Sequence, residues 1–599
     1  MDRARSTENA VSVAVLAALA LLPLVEIVAR LLPIGGIPGS ISVVQHLTLV
    51  VTFLGAMLAA RDDRLLALST THFLPERFEG ALKIFTSAVG AGLTLWLAQA
   101  GWELVQVERE FVQEVAWGLT SWMFVAIIPI GFAGMALRLV WKASEHWPGR
   151  LLAACGFAIP AAFTWWGALE QWDVVTPGVA LIVLSTALGM PIFAAIGGAS
   201  LLLFWYDMTP LASVPAETYR LAASPMLPAI PLFTLGGYVL AEGGAGKRLT
   251  RLFRAMVGWM PGGLAIVVTL TLAFFTPLTG ASGVTILSMG GLLLPILTEA
   301  KYPERTSLGL VTVSGSIGLL FPPSLPVILY AFYAEQPLEK LFLGGLLPGF
   351  LLVAVVAAWA ARRGVSHGAR TTPFQAAEAR AALWEAKYDL LLPVVVLGGI
   401  FGGFTTLVEA AAVTTLYAFL IERFVFKTLT TRGDLPRIAI ETATLIGGFM
   451  IILCVAMGFT NWLIYAEIPT RTLEWVQAHI ESKWLFLLAL NIFLIVVGAL
   501  MDIYSAIIVV VPLITPIGAA YGVDPVHLGI IFLANMELGY MMPPMGENLF
   551  LSAYRFDKPL TEIYRSTLPF MLILLAAVLL ITYWPAFTLT LANFHQPGP

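Results

Sequence analysis

Long apolar runs, separated by short polar stretches rich in Arg and Lys, set the pattern of this chain. Runs of bilayer-spanning length, about 20 residues, lie near 11–33, 41–60, 81–104, 115–141 and 150–168. From about Thr176 the texture changes: Gly and Pro interrupt the apolar runs, and many are too short to span alone. A second domain is expected to begin there. The segment Arg362–Lys387 is its longest polar stretch, contains the helix-favouring AEARAALWEAK, and divides the domain into halves. The pattern predicts an all-α polytopic membrane protein.

Charge placement orients the spans. Arg3 and Arg5, then Arg61, Arg64, Arg77 and Lys83, then Lys142 and Arg150 flank alternate ends of the first block, while Glu108, Glu110, Glu170 and Asp173 occupy the opposite loops. Basic loops stay cytoplasmic, so the N-terminus is expected inside. Asn593–Pro599 carries no Lys or Arg, which places the C-terminus outside. The run Val11–Pro33 is longer than the core of a signal peptide and has no clear cleavage site, so it reads as a retained first helix.

Composition narrows the function classes. Of 599 residues, 59% are hydrophobic and 12% charged, about half the charged share of a soluble domain. The net charge of −4 and the absence of a basic face exclude nucleic-acid binding. Cys155 and Cys454 both lie in apolar stretches, and the seven His show no metal-ligand spacing. No nucleophile with an adjacent base and no phosphate-binding loop is present, so the chain is expected not to be an enzyme and to draw on an ion gradient.

The second domain repeats itself. Gly318-Leu-Leu-Phe-Pro322-Pro323 and Gly539-Tyr-Met-Met-Pro543-Pro544 share a G-x-x-x-P-P spacing, and Pro295 and Pro516 precede them at the same offset of 221 residues. Paired Gly/Pro-broken helices in two halves point to a duplicated transporter whose binding site lies near the membrane midplane. Pro removes a backbone donor and Gly loosens the chain. The carbonyls so freed persist in a membrane where they line a cavity or hold a cation. Thr279, Gly280 and Ser282, with Ser314, Gly315, Ser316 and Gly318, supply hydroxyls and open backbone in the first half. Pro322, Pro323 and Ser324 complete that segment. The second half offers Asp502 and Ser505, then Asn535, Gly539, Pro543, Pro544, Gly546 and Asn548.

Ionisable groups at membrane depth are functional candidates, each set against a structural alternative. Asp502 could equally cap a half-helix, and Glu537 and Glu547 could be solvated at the interface. Thr406 and Glu409, three residues apart before an apolar run, fit a capping box as well as a binding contact. Glu26 and Arg30, one turn apart, are expected to pair with each other or with a facing helix. The 17 Trp are expected to act as interfacial anchors.

These motifs resemble the tripartite ATP-independent periplasmic (TRAP) transporters, in the form that fuses the small and large membrane subunits, over nearly the whole chain. The large-subunit likeness runs through Pro231–Gly237, Val257–Leu264, Gly318–Pro326, Gly398–Ala412, Gly498–Pro516 and Gly539–Phe550. The small-subunit likeness rests on the four-span layout, Thr52–Arg61, and Ile128–Phe132 with Arg138. Two departures stand out: Asp63-Arg64 where the small subunit often has a His, and Thr406-Leu-Val-Glu409 where the large one often reads Thr-Pro-Thr-Glu.

The resemblance implies about 15–16 membrane segments: a small-subunit-like scaffold over 1–148, a connecting helix over 149–174, and a transport domain over 175–599 with repeats at about 175–361 and 388–599. It further implies inverted repeats, two helical hairpins and two broken helices working as an elevator in a bacterial inner membrane. Thr279–Gly283 and Ala499–Ser505 would be the hairpin tips, and Ser314–Ser324 and Asn535–Asn548 the broken helices. Na+ would be the coupling ion, held by backbone carbonyls and hydroxyls of Thr279, Ser282, Ser314 and Ser316 and of the Asp502 and Gly539 regions. No cofactor is implied. A periplasmic substrate-binding protein would deliver a small organic acid. The alternative is a stand-alone cation/carboxylate exchanger that needs no binding protein.

Overall fold

The computed structural model describes residues 2–32, 35–67, 76–165, 174–280, 282–543 and 546–594. They are overwhelmingly helical; the one sheet among them is a two-stranded hairpin, Glu114–Ala116 with Leu119–Thr120. That hairpin corrects the expected run at 115–141. Trp117 and Gly118 both take positive φ, 54° and 76°, which turns the chain tightly, and the membrane helix begins only at Ser121. Among the described residues ten helices are long and apolar enough to span a bilayer, eleven with the bent pair Glu304–Leu320 and Leu325–Tyr333. The expected 15–16 segments are reached only by adding five shorter apolar helices, among them Gly263–Thr279 and Pro525–Gly539. Glu170, Asp173 and positions 595–599, which entered the orientation of the spans, lie outside the described residues.

The chain forms two compact units. One comprises Met1–Leu232 and Leu435–Ile468, the other Phe233–Asp434 and Pro469–Pro599. This division takes residues from both sides of the expected boundary at 174/175.

In the first unit, small residues let helices touch along their backbones, as membrane packing requires where no hydrophobic drive separates helix from lipid. A Cβ on Gly447 would collide with the backbone of Gly55 and Ala56, and one on Gly156 with that of Ala88. Glu26 does more than pair with Arg30, 3.8 Å away. Its carboxylate accepts from Ile37 N and Ser40 Oγ, both at 2.8 Å, which secures the start of helix Ser40–Arg61. Trp96 departs from the anchor role: it is fully buried and stacked on Phe163 at 4.6 Å.

The second unit holds the duplication. Helices starting at Gly263, Ser282, Glu304, Leu325 and Leu338 are followed by counterparts starting at Lys483, Ile503, Pro525, Glu547 and Leu560. The offsets run from 220 to 222 residues, so the spacing seen in a few Gly and Pro extends to whole elements. Each half therefore contains a hairpin (Gly263–Thr279 with Ser282–Glu299; Lys483–Leu500 with Ile503–Ala520), a broken helix (Glu304–Leu320 with Leu325–Tyr333; Pro525–Gly539 with Glu547–Phe556), and a closing helix. The arms Glu304–Ile317 and Leu325–Tyr333, 14 and 9 residues long, rise about 21 and about 14 Å at 1.5 Å per residue. Neither crosses a core of about 30 Å alone.

The polar stretch at 362–387 resolves into the ends of two helices, Leu338–Ser366 and Ala376–Phe401. Asp389 of the latter lies in a buried ion triad. Arg248 donates from Nε and Nη2 to its two oxygens, each at 2.7 Å, and also bonds Glu422, which accepts a 2.6 Å bond from Thr428 Oγ1. The triad joins helices Ala245–Val257 and Ala376–Phe401 to the π-helical turn Ile421–Val425.

Candidate functional site

The first hairpin turns because Gly280 adopts φ +75°, a left-handed conformation that glycine enters without a Cβ penalty. Its N–H donates to Thr276 O at 3.0 Å, ending the first arm. Thr276 Oγ1 lies 3.0 Å from the Gly315 carbonyl, tying the hairpin to the first broken helix. Thr279 Oγ1 is 2.8 Å from Thr285 Oγ1 across the turn. The tip also reaches the other half: the Gly280 carbonyl accepts from Tyr504 OH at 2.6 Å, and Ser282 Oγ donates to Asn548 Oδ1 at 2.9 Å. Thr279, Gly280, Ser282 and Asn548 thus come together at the first tip. Tyr504 and Thr276 were missed, since neither an isolated tyrosine nor an in-helix threonine carries a local signal.

At the second tip Asp502 is half-buried and acts as an N-cap. Its Oδ1 accepts from Tyr504 N and Ser505 N, both at 3.0 Å, and its Oδ2 from Ser505 Oγ at 2.6 Å. Ile503 N donates to Tyr540 OH at 2.8 Å, joining this tip to its own broken helix. Glu547 is exposed and stands beside the first tip: a Cβ on Gly283 would lie 3.4 Å from its Oε1.

Gly318 and Gly539 serve close packing. A Cβ on Gly318 would meet the Ala273 carbonyl and Thr276 Cβ at 2.6 Å, and one on Gly539 would meet Gly498 Cα at 2.6 Å. Each broken helix therefore rests directly on the first arm of its own hairpin. At the first break Gly318–Leu320 tightens to a 3₁₀ turn, Phe321 is extended, Pro322–Pro323 is cis, and the helix resumes at Leu325. Gly315 and Ser316 lie just before it, and Ser316 Oγ is occupied by the Val313 carbonyl at 3.2 Å. Ser314 and Ser324 flank the break, fully buried, and their hydroxyls have no protein partner. At the second break Pro543 is exposed, Pro544 lies outside the described residues, and Gly546 precedes the resumed helix.

Asn535 bonds through its amide nitrogen, and its own Oδ1 is buried with no hydrogen-bond partner. The residue is fully buried, and its amide donates to Asn491 Oδ1 and the Ile531 carbonyl, both at 2.8 Å, while Thr582 Oγ1 donates to the same Asn491 oxygen at 3.0 Å. These bonds place it in a polar node between helices. Glu537 corrects the solvated reading: it is only 3% exposed, and its carboxylate, turned toward the backbone of Leu320, makes no hydrogen bond of normal geometry. Nothing local distinguished it, because burial here depends on which face of helix Pro525–Gly539 meets its neighbours. Thr406 and Glu409 form the capping box, with Thr406 N donating to Glu409 Oε2 at 2.9 Å and Glu409 N to Thr406 Oγ1 at 3.3 Å.

The tips and breaks thus present hydroxyls, amide oxygens and helix-end carbonyls, the donor set of a hard monovalent cation. No group of three or more His, Cys, Asp or Glu among the described residues is arranged for a metal.

Comparison with known proteins gives two family matches. Residues 179–587 match the tripartite ATP-independent periplasmic transporter DctM component, and residues 19–149 match the DctQ component. The C4-dicarboxylate TRAP transporter large permease protein DctM of Rhodobacter capsulatus is 33% identical over 69% of this chain and 97% of its own length. The protein of the same name in Pseudomonas aeruginosa is 35% identical over 66% of this chain and 93% of its own. The isethionate TRAP transporter permease protein DctMQ of Oleidesulfovibrio alaskensis is 29% identical over 87% of this chain and 83% of its own.

Proposed function

This chain belongs to the tripartite ATP-independent periplasmic transporters, with DctQ and DctM components in one polypeptide, and from that premise we propose that it drives uptake of small carboxylates with an inward Na+ gradient. As a member of that family it is a multi-pass membrane component of a transporter, not an enzyme. In the proposed cycle a periplasmic binding protein delivers the acid. The unit Phe233–Asp434 with Pro469–Pro599 carries it as an elevator, while residues 1–148 and the connecting segment belong to the scaffold. The membrane is the bacterial inner membrane, with the N-terminus cytoplasmic and the C-terminus periplasmic.

The observation that carries this reading is the meeting of the first tip with both second-half elements, through Tyr504 and Asn548, beside buried hydroxyls that lack protein partners. A buried hydroxyl left unbonded costs about 1–3 kcal/mol, and a bound cation would satisfy the oxygens of Ser314 and Ser324. In this cycle Na+ is cargo that travels with the acid. The DctQ match over residues 19–149 favours the tripartite scheme over a stand-alone exchanger.

The double replacement Ser314→Ala with Ser324→Ala removes two unpartnered hydroxyls and is expected to leave the fold intact. Its concentration of Na+ for half-maximal uptake is expected to rise at least tenfold. An unchanged Na+ dependence in the correctly inserted variant would remove these residues from the ion site.

A further inference from the structure

The first unit contains a cationic cavity to which the proposed uptake cycle assigns no role. Five helix ends converge on it: the starts of Asp2–Leu31, Glu76–Glu110 and Trp147–Ala154, and the finishes of Ser40–Arg61 and Ile127–Lys142. It is an open hollow of about 720 Å³ lined by Arg5, Arg61, Lys83, Arg138, Lys142 and Arg150. Its acidic lining is limited to Glu8, Asp63 and Glu145.

Those carboxylates are partly committed. Glu8 bridges Arg61 at 3.2 Å and Arg138 at 2.7 Å, Arg61 also reaches Asp62 at 3.0 Å, and Asp63 holds Lys83 at 2.9 Å. Even with Asp62 counted, six cations face four carboxylates. Arg5 and Lys142 have no carboxylate partner among the described residues. Arg150 lies over the Trp141 ring at 4.0 Å and donates to the Ser144 carbonyl at 2.9 Å, so it too lacks a carboxylate. Concentrated cations with an unmatched surplus attract an anion.

Apolar surface identifies the kind of anion. Leu137 and Trp141, one turn apart, are 62% and 46% exposed; Trp147 and Leu151, likewise one turn apart, are 61% and 55% exposed. The two pairs sit on the helices that supply Arg138, Lys142 and Arg150. A cationic hollow bordered by exposed Trp and Leu fits a molecule with an anionic head and an apolar tail, at the depth where Trp settles in a bilayer. We propose that this cavity binds the phosphodiester headgroup of an anionic phospholipid, whose acyl chains lie along Leu137 and Leu151. The lipid bridges five helix ends and steadies the first unit. The proposal is independent of the Na+-coupled uptake reading.

The test follows thermal unfolding of the purified full chain in zwitterionic detergent as phosphatidylglycerol, phosphatidylcholine or glycerol phosphate is titrated in, with retained lipid read by native mass spectrometry. Phosphatidylglycerol is expected to raise Tm and remain bound, and the other two are not. In the double variant Arg5→Gln with Lys142→Gln, which breaks no ion pair, phosphatidylglycerol affinity is expected to fall roughly thirtyfold. Lys247→Gln with Arg254→Gln, in a different basic segment, is expected to bind normally. Equal stabilisation by phosphatidylcholine, stabilisation by glycerol phosphate alone, or undiminished binding by the first variant would each overturn the assignment.

Discussion

Asp502 and Glu537 are both carboxylates at membrane depth, and their surroundings assign them opposite tests. Asp502 satisfies two backbone amides and a hydroxyl at the start of a hairpin arm. An Asn at that position keeps the cap and removes the charge, which separates the two readings that the sequence left open. Asp502→Asn is expected to insert and unfold like the parent while losing at least tenfold in Na+-driven uptake; full uptake would reduce Asp502 to a cap. Glu537, by contrast, makes no hydrogen bond of normal geometry. Exchanging such a group for an apolar one relieves a desolvation cost, so Glu537→Leu is expected to raise Tm by a few degrees and to depress uptake. A fall in Tm would show that the carboxylate holds the second broken helix together. A residue that lowers stability and still occupies the core is the mark of a functional position.

Between elements, the buried triad gives the clearest energetic statement. Arg248 is 6% exposed and shared by Asp389 and Glu422, 2% and 0% exposed. Arg248→Met strands two buried carboxylates, an imbalance that costs about 3–5 kcal/mol. The triple change with Asp389→Leu and Glu422→Leu is expected to recover most of that loss, because apolar packing replaces buried ion pairs at little net cost. Denaturation of the two variants side by side checks this, and a triple variant no better than the single one would contradict it.

At the same scale, the broken helices and their repeat were legible because Gly and Pro act locally. In both halves the G-x-x-x-P-P glycine stands where one helix gives way to the next, and the 221-residue offset of Gly318 and Gly539 foretold counterparts for five successive helices. The glycines matter for a reason the sequence does not display: each faces the first arm of its own hairpin. The triad was illegible for the converse reason, since 141 residues separate Arg248 from Asp389 and 174 separate it from Glu422. The hairpin at 114–120 was missed because apolar Val115 and Trp117 extend an apolar run whatever their backbone does.

Over the whole molecule, a chain that joins DctQ-like and DctM-like regions carries both membrane components within one polypeptide. The central claim is that Na+ and a delivered acid move together through it. Reconstitution into proteoliposomes, with labelled C4-dicarboxylate and other small acids supplied with and without a cognate periplasmic binding protein, under an inward Na+ gradient or none, tests this most directly. Accumulation only when both the gradient and the binding protein are present is the predicted result. Accumulation indifferent to the binding protein would establish a stand-alone exchanger, and accumulation indifferent to Na+ would contradict the coupling itself.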